Sequence, residues 1–140
     1  MKTLLFLDDI RSPSWVHWMK LPSRCDGDWT IVRNFSEFQE HILLIGVPDF
    51  ISFDHDLDME GIQDSSLQSN PTHASPQGEP SGMMCAKWLV EYCLDNHIKC
   101  PDFAVHSQNP AGRANIEGLL DGFAKFQLQE ATNIAPGLKI

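Results

Sequence analysis

Three short polar stations carry the residues best suited to chemistry. The first is Leu7-Asp8-Asp9-Ile10-Arg11-Ser12-Pro13 and the second is Asp54-His55-Asp56-Leu57. The third is His106-Ser107-Gln108-Asn109-Pro110-Ala111-Gly112-Arg113-Ala114-Asn115. Together they offer four acids, two histidines, two arginines and two asparagines. If they converge, they make a site for phosphate chemistry.

Asp8, Asp9 and Asp54 form a candidate cluster of carboxylates. Packed together without a cation they repel, and at least one acquires a raised pKa. Mg²⁺ or another divalent cation resolves the conflict, taking one or two carboxylates together with waters and phosphate oxygens. Asp9 could instead cap a turn, and Asp56 could be a solvated loop acid.

His55 and His106 stand at the ends of the apolar runs 50–53 and 103–105, which should be neighbouring strands in a parallel α/β sheet. Two imidazoles that titrate near neutrality can act as complementary acid and base across one phosphorus centre. His17, His41, His73 and His97 lack such placement and read as surface or structural residues. In the third station a helix start presents backbone N–H groups, Gly112 allows close approach, and Arg113 adds a charged fork. Ser107 can donate one more hydrogen bond, or Ser107 or Asn109 could cap the helix. Arg11 could clamp a phosphate or neutralise Asp8 and Asp9.

The elements that must position these groups are legible as alternating strands and helices. Each station follows a short apolar run, at residues 3–7, 50–53 and 103–105. In an open parallel α/β sheet, strand ends deliver such groups to the carboxyl edge, where ligands bind. A further strand is expected over 29–33. Ser36-Glu37-Phe38-Gln39 has a capping-box pattern, with a helical stripe through Phe38, Ile42, Leu43 and Ile45 that ends at Gly46. Residues 83–96 form a second helix, apolar over much of its surface. A third starts near Asn109 or Arg113 and carries Ile116, Leu119, Leu120, Phe123 and Phe126. The tail 127–140 supplies an edge strand or simply packs. Residues 12–28, with Pro13, Pro22 and Gly27, do not favour a long helix. The alternation predicts an α/β fold, a three-layer doubly wound parallel sheet.

Composition narrows the function. The chain has 140 residues, 42% hydrophobic, which suits one globular domain spanning 1–140. Between about 58 and 82 the composition turns to Ser, Pro, Gln, Asn and Thr, so a polar loop insertion is expected there, either a lid or a passive insertion. The net charge of −9 argues against binding extended duplex nucleic acid, which needs clustered Lys and Arg. A small phosphate-containing ligand remains compatible. No run approaches the roughly 18–20 apolar residues of a membrane span. The apolar start meets Asp8-Asp9 too soon for a secretion signal, so a cytoplasmic location is expected. Cys25, Cys85, Cys93 and Cys100 form no CxxC pair, and Cys85 and Cys93 suit one buried helix face.

Leu7-Asp8-Asp9-x-Arg11-x-Pro13, Asp54-His55-Asp56-Leu57 and His106-Ser107-x-Asn109-Pro110-x-Gly112-x-x-Asn115 together resemble the cyclic-phosphate processing receiver-like family. The resemblance runs from about Leu4 to Leu120. It implies receiver (flavodoxin-like) topology with strand order 2-1-3-4 and an uncertain fifth strand. It also implies processing of a cyclic phosphate, such as a 2′,3′-cyclic nucleotide or an RNA end. Signalling receivers place a Lys after a fifth strand, and neither Lys125 nor Lys139 sits in such a setting.

The expected function is a cyclic phosphodiesterase-type phosphohydrolase. Asp54, His55 and His106 would be catalytic, one histidine activating water and the other protonating the departing ribose oxygen. Arg11, Ser107, Asn109, Arg113 and Asn115 would bind phosphate, and Asp8, Asp9 and Asp54 the cation. The alternatives are a non-catalytic cyclic-nucleotide or phosphate binding module, and a degenerate receiver phosphorylated at Asp54.

Overall fold

The computed structural model describes residues 2–56 and 81–139, and for Ser81 and 131–139 the backbone alone. Most of the polar stretch expected as an insertion at 58–82 lies outside the described residues.

Four short strands, β1 (Leu4–Leu7), β2 (Thr30–Val32), β3 (Phe50–Phe53) and β4 (Asp102–Val105), form one parallel sheet in the order β2-β1-β3-β4. Among the described residues three helices, α1 (Phe35–Ile45), α2 (Ser81–Asn96) and α3 (Pro110–Lys139), accompany the sheet. This is the receiver-like α/β arrangement expected from the alternation and the family motifs. Of the two readings left open for the tail, the edge strand does not form among the described residues: α3 continues to Lys139, and β4 lies at the edge of the sheet.

The helices share one face of the sheet. Leu5, Leu7, Ile51, Phe53 and Val105 point from the strands into a core with Phe38, Ile42, Leu89, Ile116 and Leu120. Each of these large apolar side chains contributes about 1.5–3 kcal/mol by leaving water. The opposite face is covered by the irregular segment between β1 and β2, which contains two single 3-10 turns, Pro13–Trp15 and Asp26–Asp28. Phe6, Val16, Leu21 and Trp29 make the small core beneath it. The prolines and glycine of this strap explain why no helix forms there.

Two helix boundaries differ from the sequence reading. α1 is capped by Asn34, whose side chain accepts from the Glu37 N–H, while Glu37 accepts from the Arg33 N–H. The capping box is therefore centred two residues before Ser36. α2 begins at Ser81, and Gly82 lies so close to the Asp54 and His55 backbone that a Cβ there would overlap it. All four cysteines are free, with Cys85 and Cys93 buried on α2 as expected. Burial pushes the Cys85, Cys93 and Cys100 thiols up, away from nucleophilic thiolates. Among the described residues no helix is long and apolar enough to cross a membrane.

Candidate functional site

Strand register builds the centre of the site. Leu7 pairs with Val32 and Phe53, and Phe53 pairs with Val105. The residues one step beyond are Arg33, Asp8, Asp54 and His106, and the ladder continues through them. The Asp8 N–H donates to Val32, that of Asp54 to Leu7 and that of His106 to Phe53. Parallel pairing therefore sets Asp8, Asp54 and His106 side by side at the carboxyl edge. One ligand atom from each lies within 4.8 Å of the others. Buried polar side chains (Asp8, Ser52, Asp54, His55, His106, Ser107) gather at this end of the sheet.

Asp8 is fully buried and heavily bonded. Its Oδ1 accepts from the Ile10 and Arg11 N–H groups at 3.0 and 2.8 Å. Its Oδ2 accepts from His106 Nε2 at 2.9 Å and from Arg11 Nη1 at 3.3 Å. Burial by itself would raise the carboxyl pKa, but the bonds from His106, Arg11 and Ile10 outweigh it and hold Asp8 down at about 2. Asp54 has the opposite fate. Burial and the neighbouring Asp8 charge push it up to about 7, against the partial relief supplied by Arg11. Arg11 Nη1 stands 4.0 Å from Asp54 Oδ1, and Asp9 adds further negative charge.

The two histidines point to opposite sides of the sheet edge. His106, the first residue after β4, turns toward the strap. Its ring stacks on Phe6 with centroids 4.4 Å apart. Its Nδ1 lies 2.7 Å from Ser52 Oγ and its Nε2 faces Asp8, so both ring nitrogens are engaged. Burial lowers its pKa. A carboxylate only accepts, so Nε2 carries the proton and the neutral ring accepts from Ser52 at Nδ1. His55, the second residue after β3, turns toward the helices. Its Nδ1 donates to Asp56 Oδ1 at 2.8 Å, which leaves the Nε2 lone pair unpartnered among the described residues. Gly112, on α3, packs directly on the His55 ring, and a Cβ there would overlap the imidazole. The close approach foreseen for Gly112 is thus to a histidine.

The remaining expected residues are placed unequally. Ser107 accepts from the Asn109 N–H at 3.1 Å, and Asn109 Oδ1 accepts from the Gly112 N–H at 3.1 Å. Asn109 caps α3, with Pro110 at the first helical position. Arg113 Nε pairs with Glu117 at 3.0 Å along α3, both side chains half-buried. Asn115 is exposed on the same helix. Arg11 stands between Asp8 and Asp54, and its guanidinium lies 5.3 Å from the centre of the Trp18 ring.

Three contributors escaped the sequence reading. Ser52 is the single polar residue of β3, a signal that was available. Arg33 follows β2 in register, and its Nη1 donates to the carbonyls of Asp8 and Arg11 at 3.1 and 2.6 Å, fixing the turn after β1. Trp18 donates its indole N–H to the His106 carbonyl at 2.8 Å, a contact across the chain that no local pattern announces. A predominantly apolar cavity of about 560 Å³ lies elsewhere, lined by Cys93, Leu94, Ile98, Cys100 and Phe126, and takes no part in this edge.

No curated protein and no solved structure matches the chain. A family model described as the cyclic-phosphate processing Receiver domain does match it, over residues 3–122. That span contains all four strands and the carboxyl-edge groups described here, and the chain belongs to this family.

Proposed function

We propose that the protein hydrolyses a cyclic phosphodiester, such as a 2′,3′-cyclic nucleotide or an RNA end, at the carboxyl edge of its sheet. The observation that carries this reading is the His55–Asp56 pair. Asp56 holds Nδ1–H and orients the ring, leaving Nε2 as a base at the same carboxyl edge, on the residue that follows Asp54. Family membership supports the phosphate part of the reading.

In this account His55 Nε2 takes a proton from water as the water oxygen attacks phosphorus. One ring P–O bond opens, and the proton ends on the released ribose hydroxyl, so the sum is addition of one water. Arg11 offsets the phosphate charge. His106 acts as a positioning residue, because its two nitrogens are committed to Ser52 and Asp8.

The residues fit a hard divalent cation such as Mg²⁺. Asp8 and Asp54 offer carboxylate oxygens, and the two causes that raise the Asp54 pKa, burial first and the neighbouring Asp8 charge second, are ones a bound cation would offset. Asp54, with Asp8 and Asp9, would hold the ion, and the ion would supply charge neutralisation at the phosphate. His106 would join as a nitrogen ligand only by giving up its bond to Asp8.

Phosphorelay is the weaker alternative. A phosphoryl acceptor must be accessible, whereas Asp54 is 5% exposed, and among the described residues no fifth strand brings a lysine to it. Steady-state turnover of a nucleoside 2′,3′-cyclic monophosphate by the wild type and by His55→Ala tests the proposal. Activity undiminished in the variant would overturn it.

A further inference from the structure

The four tryptophans have different surroundings. Trp29 is 7% exposed and packs edge-on against Phe6 in the small core. Trp18 stands outside that core and is 37% exposed. Its ring is nevertheless held in place, by the N–H bond to the His106 carbonyl at 2.8 Å and by the Arg11 guanidinium 5.3 Å from its centroid. The same guanidinium lies 3.3 Å from Asp8 and 4.0 Å from Asp54. One side chain therefore spans from the aromatic ring to the carboxylates.

Trp18 also borders an open cleft of about 390 Å³, whose other walls include Ser107, Gln108, Pro110, Arg113 and Glu117. Small-ligand sites begin at about 300 Å³. The Arg113–Glu117 pair uses Nε and one carboxylate oxygen. Guanidinium donors and a second acceptor oxygen remain, a donor beside an acceptor of the kind a base edge requires.

We propose that this cleft is a nucleobase subsite, with Trp18 as the stacking platform and Arg113 and Glu117 as partners for the base edge. The substrate of the neighbouring carboxylate site is then a nucleoside cyclic phosphate and not a base-free sugar or polyol cyclic phosphate. This inference rests on the cyclic-phosphate reading. A ring already fixed by its N–H bond loses little freedom when a base stacks on it. Stacking of this kind tolerates different bases, since every base has a π-face.

Calorimetric binding to the full chain carrying His55→Ala, which preserves the ligand, tests the subsite. The probes are guanosine and uridine 2′,3′-cyclic monophosphates, methyl riboside 2′,3′-cyclic phosphate, and the free nucleosides. The nucleoside cyclic phosphates should bind roughly ten- to a hundredfold tighter than the methyl riboside compound. Adding Trp18→Leu should narrow that gap, weakening the nucleoside compounds more than the base-free one. Trp18→Phe should keep much of the gap, and Trp15→Leu, outside the cleft, all of it. Equal affinity for the nucleoside and base-free compounds would overturn the subsite alone, as would equal weakening of both by Trp18→Leu. Trp18-dependent binding of free nucleosides without binding of any cyclic phosphate would keep the subsite and overturn the cyclic-phosphate reading. Failure of every probe to bind would overturn both.

Discussion

Asp8 and His106 meet at 2.9 Å across 98 residues of sequence. Each is the first residue beyond its strand, and β3 between them keeps both strands in register. The contact therefore follows from sheet pairing, and it divides the two histidines of the site into different roles.

The division can be measured. His106→Ala removes a ring fully buried against Phe6 and takes a hydrogen bond from the Asp8 carboxylate. We expect denaturant unfolding to show a loss of about 2–4 kcal/mol. His55→Ala should lose about 1 kcal/mol, close to one typical hydrogen bond, yet lower turnover roughly 10²- to 10⁴-fold. Equal stability losses with equal activity losses would contradict the assignment.

Gly112 provides a second handle on His55. Gly112→Ala places a methyl group into the imidazole, so turnover should fall nearly as far as in His55→Ala while the protein stays folded. Gly118, on the same helix, has open space around it. Gly118→Ala should be neutral or stabilise by up to about 1 kcal/mol. Circular dichroism melts and turnover of the two variants, compared side by side, check the contrast.

Arg33 should matter without touching the ligand. Its guanidinium joins the carbonyls of Asp8 and Arg11, which fixes the turn that aims Arg11 at the carboxylates. Arg33→Met should raise KM more than it lowers kcat, by about 1–2 kcal/mol in binding. A kcat loss with KM unchanged would show that Arg33 acts differently.

Stability should depend on pH in two windows of opposite slope. The Asp54 carboxyl has an ordinary value of 3.8 and is raised to about 7 in the fold. Between those values the folded chain keeps a proton that the unfolded chain has lost. This contribution is full below the lower value and is lost as pH rises toward about 7, with a span of about 4 kcal/mol. Asp8, held at about 2, works the other way. Its contribution is present above 3.8 and is lost as pH falls toward about 2. Urea titrations with EDTA at pH 5 and pH 8 should show lower stability at pH 8. Asp54→Asn should flatten that slope, and Mg²⁺ should reduce it in the wild type.

Much of this edge was legible in the sequence. Short apolar runs ending in Asp8, Asp54 and His106 announced β1, β3 and β4, and the motifs gave the sheet order through the family resemblance. The opposed directions of the histidines were available too, since His106 follows its strand by one residue and His55 by two, and side chains alternate. What local pattern could not carry were contacts set by tertiary packing. Trp18 reaches the His106 carbonyl only because the strap folds over Phe6. The Ser36 capping signal yielded to Asn34, because the chain leaves β2 at Val32 and turns sooner than the motif suggested. The helix that carries Ile116, Leu120 and Phe123 on the core runs on to Lys139, past the point at which the sequence left an edge strand open.

The most direct test of the central claim is phosphorus NMR of a nucleoside 2′,3′-cyclic monophosphate mixed with the purified protein, with Mg²⁺ and with EDTA. The account predicts that the cyclic-phosphate resonance gives way to a monoester resonance with the wild type, and that His55→Ala and EDTA each slow this strongly. A cyclic resonance that persists with the wild type, or a monoester formed equally fast by His55→Ala, would contradict it.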